Sequence, residues 1–176
     1  MHHALQIDEI VRCICVQMAY GDGPPVPQYP RRCGDLARLA RTCTTFVDPA
    51  LDSLWSFQGT LLHLLRTMPG DLWDIIEIPP EDASSDATRG EEDLSLEITL
   101  RRTPRASDWD HFKCYARRVR SFTDEHICSE ISVVYDTLVA EFFNGAIFPR
   151  LDTLYWFSVE PELFDYILLF LSPGLT

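Results

Sequence analysis

The sequence predicts a mixed α+β fold, in which a helical N-terminal part precedes alternating strands and helices, and three observations support this. Apolar residues recur at helical spacing in three short segments between residues 1 and 58. Residues 94–100 alternate apolar and polar side chains without interruption, which is typical of a half-buried strand. Two similar strand-and-helix segments then follow at a spacing of about 32 residues. We therefore divide the chain into residues 1–58 and residues 59–176.

The first predicted helix begins near Ile7 and has a clear apolar face. Five residues at helical spacing form that face: Ile7, Ile10, Val11, Ile14 and Met18. Asp8 and Arg12 are at i and i+4 and add a stabilising pair on the helix surface. The prolines and glycines of residues 21–30 then exclude a continuing helix.

Two more amphipathic helices are predicted before residue 58. The second covers residues 35–46 and presents one apolar face: Leu36, Leu39, Ala40, Cys43, Phe46 and Val47. Asp48 and Pro49 predict the start of the third, because Asp is a good N-cap and proline is tolerated at the first helical position. No single helix can bury its own apolar stripe, so the three form a small helical core or dock onto another surface.

The order of these residues resembles an F-box, the helical motif that docks substrate receptors onto the adaptor of SCF-type ubiquitin ligases. An F-box opens with Leu-Pro-x-Glu-Ile, continues with Leu-x-x-Leu-x-x-x-Cys and an aromatic residue, and ends with Pro-x-Leu-Trp. The corresponding residues here are Leu5-Gln-Ile-Asp-Glu-Ile10, then Leu36, Leu39, Cys43 and Phe46, then Pro49, Leu51, Leu54 and Trp55. Gln6 departs from the family's proline, and the segment from Ala19 to Cys33 is longer than usual. The stretch from Leu39 to Trp55 is similar to F-box proteins that are abundant in mushroom-forming fungi.

This resemblance implies a non-catalytic substrate-receptor subunit that works in the cytoplasm, the nucleus or both. Residues 5–55 would bind a Skp-family adaptor, and through it a cullin and a RING subunit, while the substrate protein stays unknown. The candidate adaptor-binding side chains are all apolar: Leu5, Ile7, Ile10, Val11, Ile14, Leu36, Leu39, Phe46, Pro49, Leu51 and Trp55. The alternative is a repeat scaffold, or a truncated F-box-like interaction protein, without ligase function.

The middle of the chain predicts a short helix and two strands. Residues 61–68 form the helix, which Pro69 and Gly70 end. Residues 72–78 and 94–100 are the predicted strands. Between them, residues 79–93 are rich in acidic residues and predict a solvated loop, with a phosphorylation or recognition segment as the alternative.

A further helix is expected from Ser107, with Asp110 at the capping-box position. Residues 113–120 contain the basic cluster of the chain. Basic side chains near a helix C-terminus complement the helix dipole, and this is the interpretation that we favour. The alternative is contact with a phosphate or an acidic partner.

The final third resembles the start of a leucine-rich-repeat solenoid, which implies substrate recognition by residues 59–176. Residues 119–122 and 151–156 are similar to the Leu-x-x-Leu strand of such repeats, and these repeats often follow an F-box. Helices are predicted between the two strands, from Ile131, and after the second, from Pro161. The last helix carries a surplus of large apolar residues: Phe164, Ile167, Leu168, Phe170 and Leu171. We therefore expect an incomplete, truncated solenoid, or an end that another chain covers. We also expect that the isolated chain self-associates or needs its adaptor to stay soluble.

Composition excludes several other classes of function. A formal charge of −12 argues against general nucleic-acid binding, which requires clustered basic residues. No segment has the roughly 18 consecutive apolar residues of a membrane span, and no secretory signal is visible. The six cysteines lack zinc-site spacing, so we expect reduced thiols and no metal or other cofactor. Phosphate-loop, zincin and serine-hydrolase motifs are missing from the sequence, and we expect no catalytic activity.

Overall fold

The computed structural model contains both helices and strands. It describes residues 7–21, 33–78, 95–124, 131–143, 145–157 and 161–175. The helices are α1 (Asp8–Tyr20), α2 (Cys33–Ala40), α3 (Thr44–Trp55), α4 (Leu62–Leu65), α5 (Trp109–Ala116) and α6 (Ile131–Phe142). The strands are β1 (Phe57–Gln58), β2 (Trp73–Ile78), β3 (Ser95–Leu100), β4 (Ser121–Asp124) and β5 (Thr153–Trp156). Two 3-10 segments, Ala106–Asp108 and Pro161–Phe170, complete the architecture. The mixed helix-and-strand composition agrees with the predicted α+β class.

Helices α1–α3 pack on one another around a small core of their own. Its fully buried members come from all three helices: Val11, Cys15, Ala19, Leu36 and Ala50. The small side chains of Cys15, Ala19 and Ala50 let the helix axes approach closely. We call residues 7–55 the helical module, without its undescribed segment 22–32.

The structure corrects the predicted boundaries of the second and third helices. Helix α2 ends at Ala40, where the Thr42 hydroxyl donates to the Leu39 carbonyl at 2.7 Å and helps to close a turn. Cys43 is extended, and α3 begins at Thr44 rather than at Asp48. Pro49 therefore lies inside α3. Because proline has no N–H, the carbonyl of exposed Thr45 lacks its usual helical hydrogen bond.

The second core lies between the sheets and the remaining helices. Its largest fully buried side chains are aromatic: Trp109, Phe112, Phe122, Tyr135, Phe148 and Phe170. Phe122 of β4 and Phe170 stack with their ring centroids 5.0 Å apart. This stacking ties the central strand to the C-terminal 3-10 helix.

Strands β1, β4 and β5 form a parallel sheet in that order. Ser121 of the central strand pairs with Phe57 on one side and with Thr153 on the other. The Ser56 carbonyl accepts N–H groups from both Arg120 and Ser121, each at 2.8 Å, and this fixes the start of β4 against the end of the helical module. The predicted strand–helix–strand order of the final third is present as β4, α6 and β5, although both strands begin two residues later than predicted.

The two predicted central strands are also present, as the antiparallel pair β2–β3. Leu96 and Ile98 of β3 are buried, as their alternation predicts. The acidic segment 79–93 lies outside the described residues. Helix α5 begins at Trp109, two residues after the predicted Ser107, and is preceded by the 3-10 turn Ala106–Asp108. Asp108 rather than Asp110 makes the capping contact, because it accepts the Arg105 N–H at 2.7 Å at the start of that turn.

The last helix is a 3-10 helix, and its burial differs from the amphipathic helix that we predicted. With three residues per turn, Leu163, Tyr166 and Leu169 lie on one face, which packs inward. Phe170 is completely buried, so its inclusion in the exposed apolar surplus is wrong. The members of the surplus that stay largely exposed are Phe164, Leu168 and Leu171.

Candidate interaction surface

The candidate adaptor-binding residues divide into three groups by burial. Val11, Leu36 and Pro49 are buried inside the helical module, so they support a surface rather than touch a partner directly. Ile7 and Ile10 are exposed, at 41% and 38% of their surface. Leu5 lies outside the described residues. Partial burial is shared by the remaining five: Ile14, Leu39, Phe46, Leu51 and Trp55.

The exposed and partly buried members of α1 form an open, nearly flat apolar surface along the outer side of that helix, which we call the groove. A space of about 520 Å³ is bordered by six α1 residues: Glu9, Ile10, Cys13, Ile14, Gln17 and Met18. Because these positions repeat at three and four residues, they lie on one face, turned away from buried Val11 and Cys15. The groove therefore offers an apolar stripe flanked by the Glu9 carboxylate and the Gln17 amide. Cys13 is exposed while Cys15 is buried, because residues two apart on a helix lie on different faces.

Trp55 joins the two parts of the protein. Its indole stacks on the ring of Tyr115 from α5, with centroids 4.5 Å apart, and it packs against the second core. The sequence predicts Trp55 as a partner-binding anchor, and in the structure much of its surface is committed to this internal contact. Leu51, one turn earlier in α3, remains partly exposed.

A chain of ion pairs runs beside this contact. Arg118, whose side chain is only 10% exposed, donates to the Asp48 carboxylate at 2.6 Å and also to the Asp52 carboxylate. Asp52 accepts from Arg12 at 2.9 Å, and Arg12 in turn binds Asp8 at 2.7 Å. The hydrogen bond from Arg118 lowers the pKa of the Asp48 carboxyl. Arg118, which follows α5, thus binds two successive turns of α3. Because Asp52 also binds Arg12, the same network reaches α1.

This network changes how the basic cluster of residues 113–120 is understood. Helix α5 ends at Ala116, so Lys113 lies in its last turn as predicted, whereas Arg118 and Arg120 lie beyond the helix. Lys113 pairs with Glu141 of α6, and Arg120 lies 3.4 Å from Asp152. These basic side chains bind carboxylates of the same chain.

A second concave region lies between the helical module and the parallel sheet. This cleft, about 610 Å³ in volume, is lined by Val16 and Tyr20 of α1 and by Tyr155 of β5, with Arg12 and Arg120 on its walls. The Tyr20 hydroxyl and the Ser56 Oγ are hydrogen-bonded at 2.7 Å on its side. Sequence reasoning missed these lining residues, because only the fold brings residues 16 and 155 together.

The ring of His63 lies next to the side-chain amide of Gln58. Its Nδ1 lies 3.2 Å from the Gln58 Oε1, and partial burial of the ring together with the nearby charge of Arg66 lowers its pKa. The histidine is therefore largely neutral at pH 7. Within the described ranges, no group of three His, Cys, Asp or Glu side chains is arranged to hold a metal ion.

The helices of the described segments are all too short or too polar to cross a lipid bilayer. Comparison of the chain with protein-family models, with curated proteins and with solved structures found no match.

Proposed function

We propose that this protein is a non-catalytic substrate receptor of an SCF-type ubiquitin ligase, in which the helical module binds a Skp-family adaptor. The observation that carries the proposal is the apolar groove of α1. The module fills its own core with Val11, Cys15 and Ala19, and still presents Ile7 and Ile10 to solvent. A helix that is apolar on two sides has one side left for a partner. The F-box-like order of the residues suggests the kind of partner.

The rest of the chain would hold the substrate protein. The parallel pair β4–β5, with a helix between the strands and Ser121 in register with Thr153, supports a partial leucine-rich-repeat-like region. Trp55 and Arg118 connect this region to the module through internal contacts. A bound substrate would therefore be held at a defined position relative to the adaptor, while cullin, RING and conjugating enzyme supply the chemistry.

Two matched substitutions on α1 test the docking surface. Ile10 lies in the groove, and Val16 lies on the opposite, cleft side of the same helix with a similar exposed fraction, 38% against 49%. Ile10→Asp and Val16→Asp add the same charge to the same helix. Truncating an interface anchor typically costs about 2 kcal/mol or more, so Ile10→Asp should weaken adaptor capture by roughly 30-fold. Val16→Asp should change it by less than about threefold.

The measurement is binding of the purified chain to an immobilised Skp-family adaptor, with circular dichroism to show that both variants fold. Equal losses for the two variants would refute the assignment of this face. Absence of binding by the wild-type chain would refute the receptor proposal and leave the repeat scaffold without ligase function.

A further inference from the structure

Lysine is almost absent from this chain, although basic residues are not. The 176 residues contain 15 lysines and arginines together, and Lys113 is the one lysine among them. Lysine is normally one of the commonest residues of soluble proteins, so this imbalance calls for a physical explanation. The two side chains carry the same charge, and net charge therefore cannot explain the choice of arginine.

The geometry of ion pairs explains only part of this imbalance. Arg102 binds both Asp71 and Asp108, a contact that suits the forked guanidinium of arginine. Arg38 and Arg101, by contrast, each bind one carboxylate through one nitrogen, at 2.9 and 2.8 Å. Their side chains are 81% and 55% exposed. A lysine ammonium could make either contact, so ion pairing does not require arginine at these two positions.

The two side chains differ in their ability to act as nucleophiles. A neutral lysine amine can attack an acyl carbon, whereas the guanidinium of arginine keeps its proton and does not. In ubiquitin transfer the amine nitrogen bonds to the carbonyl carbon of a ubiquitin thioester. The carbon–sulfur bond breaks, the conjugating enzyme leaves as a thiolate, and the nitrogen gives up a proton to water. An arginine at an exposed position is therefore not an acceptor in this reaction.

The single lysine is itself held by two neighbours on α6. The Lys113 ammonium donates to the Glu141 carboxylate and lies 5.6 Å from the centre of the Phe142 ring, in a cation–π contact. Because its side chain is 48% exposed, the amine is accessible to reagents, but it must leave both contacts before it can attack an acyl carbon. Exposed contacts of these two kinds should slow its acylation by about fivefold.

We propose that this chain is a poor acceptor of ubiquitin, so that a ligase containing it modifies the bound substrate rather than its own receptor. The inference rests on the proposed receptor function. A receptor that holds a substrate near the conjugating enzyme is itself near that enzyme, so exposed lysines on the receptor would react with the same thioester. Arginine at exposed positions such as 38 and 101 removes these acceptors without changing the charge.

Acylation of the purified chain by an N-hydroxysuccinimide acetate tests the state of Lys113 without any partner. Glu141→Gln removes the carboxylate that holds the amine, and Asp35→Asn is the matched control, because it removes the same charge from a carboxylate that binds Arg38 instead. Mass spectrometry should show that Glu141→Gln raises the rate at Lys113 by about threefold, whereas Asp35→Asn changes it by less than about 1.5-fold. Equal rates in all three chains would overturn the account of Lys113.

The closing experiment is ubiquitin transfer in the reconstituted ligase, after adaptor capture has been measured for each chain. Arg38→Lys combined with Arg101→Lys keeps the charge and adds two exposed amines, and Lys113→Arg is the control that removes the remaining one. The readout is ubiquitin attached to lysine side chains of the receptor, mapped by mass spectrometry. At equal adaptor capture, the double variant should carry roughly tenfold more of it than wild type, mostly at positions 38 and 101, and Lys113→Arg should carry none.

Two results of this transfer experiment would overturn the proposal. One is a wild-type chain that is modified at Lys113 as heavily as the double variant is modified in total. The other is a double variant that carries no more ubiquitin than wild type. Failure of the adaptor to capture the wild-type chain is a different result, seen before any transfer, and it would refute the receptor function together with this inference.

Discussion

Replacing Arg118 by methionine is the most direct test of how the helical module is held against the rest of the protein. Methionine keeps much of the apolar stem and removes the guanidinium that binds Asp48 and Asp52. Removing one partner of a fully buried ion pair costs roughly 3–5 kcal/mol. The loss should be smaller here, because the Asp48 side chain is 71% exposed and Asp52 keeps its contact with Arg12. We expect a decrease of about 2 kcal/mol in the free energy of unfolding.

Urea denaturation followed by tryptophan fluorescence measures this loss. Arg38→Met is the matched control, because Arg38 is 81% exposed and its ion pair is with nearby Asp35 of the same helix, so it should cost less than about 0.5 kcal/mol. A double-mutant cycle with Asp52→Asn should give a coupling energy of about 1 kcal/mol. If Arg118→Met lowers the free energy of unfolding no more than the control does, or if the coupling energy is near zero, then Arg118 does not hold α3 as described.

The ion pair between Arg118 and Asp48 makes a contribution to stability that depends on pH in a predictable way. The pKa of the Asp48 carboxyl is lowered in the folded protein, so its contribution is complete above the ordinary value of about 3.9 for Asp and is lost as the pH falls through the folded value. The difference in stability between wild type and Arg118→Met should therefore be constant from about pH 5 to 7 and should shrink below about pH 4.

Three further predictions follow from burial and charge. Phe170→Ala should lower the free energy of unfolding by about 3–5 kcal/mol because the ring is completely buried, whereas exposed Leu168→Ala should cost less than about 1 kcal/mol; equal costs in urea denaturation would contradict the described packing. The hydrogen bonds from Arg102 and from the Arg105 N–H lower the pKa of the Asp108 carboxyl to about 2, so the stabilisation of wild type over Asp108→Asn should be present above about pH 4 and lost toward pH 2, as thermal melting would show. Under native conditions iodoacetamide should modify exposed Cys13 well before Cys15, whose pKa is raised by burial; mass spectrometry that finds equal rates would contradict the orientation of α1.

Features set by local spacing were predictable from the sequence. The strand β3 follows from its alternation, since Leu96 and Ile98 need only the period of a strand to reach the core. Helix α1 follows from its apolar period in the same way. The start of α3 was not predictable from Asp48 and Pro49, because proline usually marks the first turn of a helix and here it lies in the second.

Features set by the fold were not predictable. Arg118 and Asp48 are 70 residues apart, and no local pattern marks them as partners. The helical spacing around Trp55 is the same whether its side chain contacts a partner or packs on Tyr115. Its internal stacking is therefore visible only in the structure. The burial of Phe170 depends on its packing against Phe122 and Phe148, which are distant in the sequence, so spacing within the last helix could not distinguish it from exposed Phe164.

The two hydrogen bonds that the Ser56 carbonyl accepts from residues 120 and 121 have a consequence for the order of folding. The contacts of the helical module are complete once residue 55 has been made, whereas β1 cannot pair until Ser121 and Phe122 have also been made. Closing that long loop costs entropy before any strand contact is gained, which slows the step. A ribosome adds about 5–20 residues per second, so synthesis separates the two events by roughly 3–13 s. During that interval every residue of the α1 groove has been made while the sheet cannot yet form, so these residues are available to a partner before the sheet exists.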